Sequence, residues 1–170
     1  MPNFISEGQI EQALLQRLQH QLGYDMLNCH TSDPEDLDDG SNRADKRDVV
    51  LSDRLRSAAT RLNPKIPESA VDDALSKLLE KRQAMSAVAA NHEIDTLIRD
   101  GVPVQFENKQ GRTEDERVRF IDFQNPENNE FLAVAQMWVK GERGYRRPDV
   151  LLYVNGIPLV FIELKNSNVN

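Results

Sequence analysis

A single cysteine, Cys29, leaves no partner for an internal disulfide. That excludes a scaffold stapled by disulfides, and the expected compartment is a reducing cytoplasm. Long apolar runs are missing too: no stretch approaches the roughly 18 residues that a membrane-spanning helix needs. The opening Met1-Pro-Asn-Phe lacks the basic and apolar regions of a secretion signal. His20, His30 and His92 are scattered without ligand spacing, so no histidine-based metal centre is encoded. Positive charge is in deficit, with 21 Lys and Arg against 28 Asp and Glu and a formal net charge of -7. Domains that grip DNA unaided are usually basic. A role on nucleic acid would need another subunit or domain to hold the strand.

What is present reads as one globular domain of 170 residues, long enough to bury a core. Helical periodicity dominates the first part, about residues 1–115. Residues 4–22 carry an apolar stripe of Ile10, Leu14, Leu15, Leu18 and Leu22, with Ser6 placed to cap it and Gly23 to end it. Residues 33–48 form a polar loop whose acidic run is expected to be solvated. Further helices are expected over about 49–61, 68–82 and 84–99, punctuated by Asn63-Pro64, Pro67 and Gly101. From about residue 116 the period changes. Residues 117–123 and 131–139 alternate as strands do. Two more strands, 148–154 and 158–165, flank Asn155-Gly156, a strong hairpin signal. The run Leu159-Val-Phe-Ile162 is apolar at every position and is expected to lie mid-sheet, buried on both faces. The class is therefore mixed α+β, a central sheet flanked by helices with a helical N-terminal part.

The charged residues of that hairpin are the chemically suggestive ones. Asp149 opens one strand, and Glu163 and Lys165 stand two apart at the end of the next. Alternation puts Glu163 and Lys165 on one face. A regular two-residue loop at Asn155-Gly156 would pair Asp149 with Ile162 and turn it to the other face. An odd-numbered loop, or a bulge with Gly156 in the left-handed region, shifts the parity and pairs Asp149 with Phe161. Two carboxylates and an ammonium at one sheet edge suit Mg²⁺ chemistry on a phosphodiester. Asp149 and Glu163 would hold the metal, with the Leu164 carbonyl as a third oxygen. Lys165 would orient or deprotonate the attacking water, or stabilise charge on phosphorus. For the bare Asp…Glu-x-Lys pattern alone, a strand-end salt bridge is the better bet; the hairpin and its apolar strand shift the balance to a site. Arg143, Arg146 and Arg147 just upstream suit DNA phosphates as well as they suit a solvated loop. Trp138, Met26, Met85 and Met137 read as packing residues.

Arg147-Pro-Asp149…Asn155-Gly-Ile-Pro-Leu…Glu163-Leu-Lys165-Asn resembles the nuclease domain at the N-terminus of the restriction (motor) subunit of type I restriction-modification enzymes. So do Glu7…Ile10-Glu11…Leu18…Gly23-Tyr24, and Ile121-Asp-Phe123…Asn125-Pro…Asn128-Asn129-Glu-Phe131…Gln136. The resemblance implies a restriction-endonuclease-like core of the PD-(D/E)xK type and Mg²⁺-dependent cleavage of double-stranded DNA. It implies Asp149, Glu163 and Lys165 as catalytic residues, and Glu11 or Glu7 as a further metal ligand. Partners would be methylation and specificity subunits. ATP would be used by downstream motor domains, because this chain has no Gly-x-x-x-x-Gly-Lys-Ser/Thr loop to bind it. The chain is accordingly expected to be the front portion of a longer subunit. Another class of reading is a non-catalytic docking module that keeps the nuclease fold. A third is a stand-alone repair nuclease, which the upstream motifs disfavour.

Overall fold

The computed structural model describes residues 6–165. The chain divides into two compact units, Met1–Ser52 with Glu130–Asn170, and Asp53–Asn129. The first carries the residues singled out above.

Its organiser is helix α1, Glu7–Leu22. Ser6 caps it, accepting from the Gln9 amide while the Gln9 side chain returns a bond to the Ser6 amide. Gly23, in left-handed conformation, closes the other end. The chain then enters strand β1, Asp25–Asn28. β1 lies parallel to β4, Phe131–Ala135, which is antiparallel to β7, Val150–Val154; β7 is antiparallel to β8, Ile157–Ile162. The sheet order is β1-β4-β7-β8. One face packs on α1, where Leu18 meets Ala133 and Val150, with Leu14, Leu15, Met26 and Ile162 around them. The other face buries Cys29, Leu51, Leu132, Val134, Met137, Leu151 and Tyr153. Cys29 and Leu51 there belong to the segment after β1, so a loop forms this layer where a helix was expected.

That loop is not simply solvated. The Asp39 side chain is fully buried between Arg43 at 2.8 Å and Lys46 at 2.7 Å. Arg43 also donates to the Trp138 carbonyl, and the Lys140 amide donates to Lys46 oxygen. Buried charge survives only when paired, and here the pairing pins the loop onto the sheet. The Asp39 carboxyl is pushed up by burial but pulled further down by hydrogen bonds from Lys46, Ser41 and Arg43, to about 2. Burial pushes the Cys29 thiol up to about 12, with the Asp39 charge adding to it. Cys29 is thus the inert thiol its isolation suggested.

β8 corrects the expectation of a central strand. It is an edge strand, and Leu159, Val160 and Phe161 are about half exposed or more, at 50%, 47% and 62%. Continuous apolarity marks a strand as two-sided only where the chain supplies a layer for each face. None of the described residues covers this stretch. The central strands are β4 and β7, and they hold the fully buried Val134, Val150 and Tyr153.

Residues 131–139 were expected to be one strand. β4 instead ends at Ala135, and after Gln136 the chain builds a small hairpin of β5, Val139–Gly141, and β6, Gly144–Arg146. Trp138, just before β5, is half-buried, its indole N–H donating to the Thr31 carbonyl.

The second unit holds α2 (Ser52–Leu62), α3 (Glu68–Leu79), α4 (Ala87–Asp100) and the antiparallel pair β2 (Val102–Glu107) and β3 (Thr113–Val118). β2 fell outside every element expected from sequence, as did β1. Asn63 stitches this unit: its amide reaches the Ala59 and Arg119 carbonyls and its oxygen accepts the Arg119 amide. At Gly101 φ is +80°, and an added Cβ would meet the Val118 carbonyl oxygen at 3.1 Å, so only glycine fits there. The Asp122…Asn129 motif is a self-contained knot. Asp122 accepts from the Gln124 and Asn125 amides and the Asn128 side chain, and Asn129 bonds the Asp122 backbone on both sides.

Candidate active site

The hairpin that presents Asp149 and Glu163 turns through two residues, both in left-handed conformation: Asn155 at φ 51° and Gly156 at φ 82°. This Asn-Gly turn suits the twist of paired strands. Asn155 is fully buried and doubles as a clasp. Its side-chain oxygen accepts the Glu130 amide at 2.7 Å, and its own amide donates to the Glu130 carbonyl at 2.9 Å. The hairpin is thereby tied to the first turn of chain before β4.

The loop is even-numbered, yet the parity is shifted. Val154 pairs with Ile157 and Tyr153 with Pro158, but Leu152 pairs with Val160. Leu159 is therefore the extra residue of a β-bulge. The bulge lies inside β8, not in the turn, and it moves the register opposite to the expectation. Val150 faces Ile162, the last pair of the ladder; that register carried one step on would set Asp149 across from Glu163 instead of Phe161, with both side chains on one face.

β8 stops at Ile162, three residues short of the strand expected from sequence. The reason is local. The Asp149 carboxylate accepts the Leu164 amide at 2.6 Å, replacing a ladder bond with a charged one. Glu163 and Lys165 nevertheless project together, their oxygen and nitrogen 3.0 Å apart. The triplet is more open than the sequence suggested: the Lys165 side chain is 71% exposed and that of Glu163 44%. Glu163 holds the Lys165 ammonium above its ordinary range, first by their hydrogen bond and then by charge, with Glu7 and Asp149 adding to it.

Glu7 acts on Lys165 through its charge. Glu11 accepts a 2.6 Å hydrogen bond from the Gln136 side chain, whose backbone N–H donates to the Asp149 carbonyl at 3.0 Å. Gln136 had entered the sequence reading only as one letter of a motif; its link to Glu11 was not legible there. The buried Asp39 was missed as well, although Asp39, Arg43 and Lys46 recur at spacings that bring charges together on a turn.

Arg143, Arg146 and Arg147 are exposed on and just after the β5–β6 hairpin. Arg147 stacks on the Trp138 ring, 4.9 Å from its centroid, and Arg146 donates to the Tyr145 carbonyl. Trp138 is thus a platform for a cation at the surface, not the core residue expected.

Among the described residues no three His, Cys, Asp or Glu side chains converge closely enough to cage a metal by themselves. Mg²⁺ does not require that. It takes one or two carboxylates and keeps several waters, and the hard oxygens of Asp149 and Glu163 on one face match that demand. No helix among the described residues is long and apolar enough to cross a membrane.

Comparison with known proteins adds a second line of argument. Residues 4–170 match the family model described as "Type I restriction enzyme R protein N terminus". The chain is 39% identical over 163 residues to the type I restriction enzyme HindI endonuclease subunit of Haemophilus influenzae, covering 95% of this chain and 15% of that subunit. It is 30% identical over 164 residues to the putative type I restriction enzyme MjaIXP endonuclease subunit of Methanocaldococcus jannaschii, again covering 95% and 15%. The chain thus spans about 15% of the length of these relatives.

Proposed function

Because the chain belongs to the family of type I restriction enzyme R protein N-terminal regions, we propose that it is the DNA-cutting domain of such an enzyme. It acts as a metal-dependent endonuclease on unmethylated double-stranded DNA in the cytoplasm. The observation that carries this reading is the corner just past the last pair of the bulged hairpin, where the Asp149 carboxylate accepts the Leu164 amide between Glu163 and Lys165, themselves 3.0 Å apart. A parity-shifting bulge in an otherwise regular hairpin is a feature that positions side chains.

In this reading Asp149 and Glu163, with the Leu164 carbonyl, hold Mg²⁺, and Glu11 or Glu7 adds negative charge from α1. The ion, when bound, polarises the scissile phosphate and acidifies a water. The Asp149 carboxylate is aimed by the Leu164 amide, which occupies one oxygen and leaves the other for a ligand. Lys165 serves as an electrostatic group. Its ammonium lies 3.0 Å from Glu163, beside the position of the ion, where a cation stabilises negative charge on phosphorus. Arg143, Arg146 and Arg147 contact the DNA backbone, the last braced by Trp138. The net charge of -7 fits a division of labour. Methylation and specificity subunits recognise the DNA, ATP-driven motor domains of the same subunit move it, and this domain cuts what is delivered.

The test is supercoiled-plasmid cleavage by the complete enzyme with Mg²⁺ and ATP, comparing wild type with Asp149→Ala and Lys165→Ala. Loss of cutting in both, with ATP hydrolysis intact, is the expected result. Wild-type cutting by both would make the triplet structural and leave a docking role for the domain.

A further inference from the structure

Gln136 is one of three non-glycine residues with positive φ among those described, at 57°. Left-handed backbone strains an L-residue, and such strain persists only where the surroundings over-determine it. The two others differ from it. Asn155 lies in the Asn-Gly turn and Asn42 in the loop after β1, and asparagine tolerates this conformation. Glutamine does so less readily, and it stands at the bend where the chain leaves β4.

The bonds around Gln136 supply the reason. Its position follows Ala135, the last paired residue of β4, which lies between Asn28 and Val150. Its backbone N–H extends the sheet by one bond to the Asp149 carbonyl. Its side chain crosses to α1 and donates to Glu11 at 2.6 Å. One residue therefore grips Asp149, at the entry to β7, and a carboxylate from a helix far away in sequence. The donor chemistry is also informative. A lysine or arginine would neutralise Glu11, whereas a neutral amide fixes one oxygen and leaves the charge in place. The Leu164 amide treats Asp149 in the same way. Two carboxylates, each aimed by a neutral N–H, keep their negative field available for a cation.

We propose that Gln136 is a positioning residue for the cation site, holding the Glu11 carboxylate in fixed relation to Asp149. The proposal rests on the nuclease reading above. Gln136 touches no reacting atom in it. It acts through Glu11, whose charge adds to the field at Asp149 and Glu163.

Three variants separate this role from a structural one. Gln136→Gly relieves the left-handed strain and keeps the backbone N–H, but removes the amide. Gln136→Ala removes the amide and keeps the strain. Glu11→Gln removes the charge itself. The probe is Mn²⁺ alone, titrated into the nucleotide-free full-length subunit and followed by the electron paramagnetic resonance of the free ion, with Asp149→Ala marking the signal from this site. Plasmid cleavage by the complete enzyme against Mg²⁺ concentration is measured in parallel.

Loss of an outer partner typically weakens metal binding by about 10–100-fold. Gln136→Gly is expected to raise both the Mn²⁺ dissociation constant and the Mg²⁺ concentration for half-maximal cutting by about 10-fold, while its thermal midpoint stays at or above that of Gln136→Ala. Combined with Glu11→Gln it should add nothing further. Wild-type Mn²⁺ binding by Gln136→Gly would overturn the proposal, and so would full additivity with Glu11→Gln. If Asp149→Ala itself still cuts DNA, the nuclease reading fails, which is a different result from a silent Gln136.

Discussion

The Asp149 carboxylate and the Leu164 amide lie 2.6 Å apart, and that bond replaces the next rung of the β7–β8 ladder. It sets the direction of one carboxylate and ends the strand that carries the other. The geometry of the corner is consequently sensitive to register, more than to the identity of the apolar residues in β8.

Inserting one residue between Ile162 and Glu163 leaves every existing pair in place, Val150 with Ile162 included, but moves Glu163 one step on and turns it to the other side from Asp149. Small misplacements of reacting groups cost about 100-fold in rate, and plasmid cutting by the complete enzyme is expected to fall at least that far. Replacing Leu159 by Thr, which keeps the bulge, should leave cutting within a few-fold of wild type. Equal cutting by the insertion variant and the wild type would show that register is irrelevant to the chemistry.

Lys165 offers a pH test. Its ammonium is held above the ordinary 10.5 by the Glu163 hydrogen bond. A raised folded-state value means that the ion pair is fully formed below 10.5 and is lost only as pH rises through the higher value. Glu163→Gln should bring the Lys165 titration back toward 10.5, read by NMR of the labelled side chain. An unchanged titration would mean that Glu163 does not hold the charge.

Asp39 predicts behaviour in acid. Its carboxyl lies at about 2, below the ordinary 3.8. With the folded value depressed, its contribution to stability is present above 3.8 and disappears as pH falls toward 2. Asp39→Ala leaves Arg43 and Lys46 buried without their anion, a change that typically costs about 3–5 kcal/mol. Denaturant unfolding at pH 7 measures the loss. The variant should also show a flatter acid limb between pH 4 and pH 2 than wild type.

Asn155 should tolerate no ordinary side chain. Asn155→Ala leaves the half-buried Glu130 amide without its acceptor and keeps φ at 51°. The unmet donor costs about 1–3 kcal/mol, and the left-handed backbone about 1–2 kcal/mol more. Asn155→Gly escapes the second penalty but not the first. Thermal melts should therefore rank wild type above Asn155→Gly, and that above Asn155→Ala. A melt of Asn155→Ala matching wild type would remove the clasp from the account.

Much of this was legible before any coordinates. α1 carried its own cap in Ser6 and its own stop in Gly23, and the Asn155-Gly156 turn and the Glu163–Lys165 partnership follow from local rules. The need for a parity shift could be derived by counting. The place of that shift could not, because a bulge at Leu159 depends on how β8 meets β7. The edge position of β8 was hidden for a related reason: apolarity records that a residue seeks cover, not which layer provides it. Asp39 and Gln136 were the hardest to see. Their partners, the Trp138 segment for one and Glu11 for the other, are supplied by tertiary structure alone.

The strand order carries a consequence for how the chain is made. β1 pairs in parallel with β4, Asp25 against Leu132, and the whole of the second unit is threaded between them. The first unit cannot close its sheet until the ribosome has delivered β4. By then the second unit, local in its contacts, has emerged and can fold. The middle of the chain is thus free to mature before its ends, and the corner at Asp149 and Glu163 cannot form until β8 has been made.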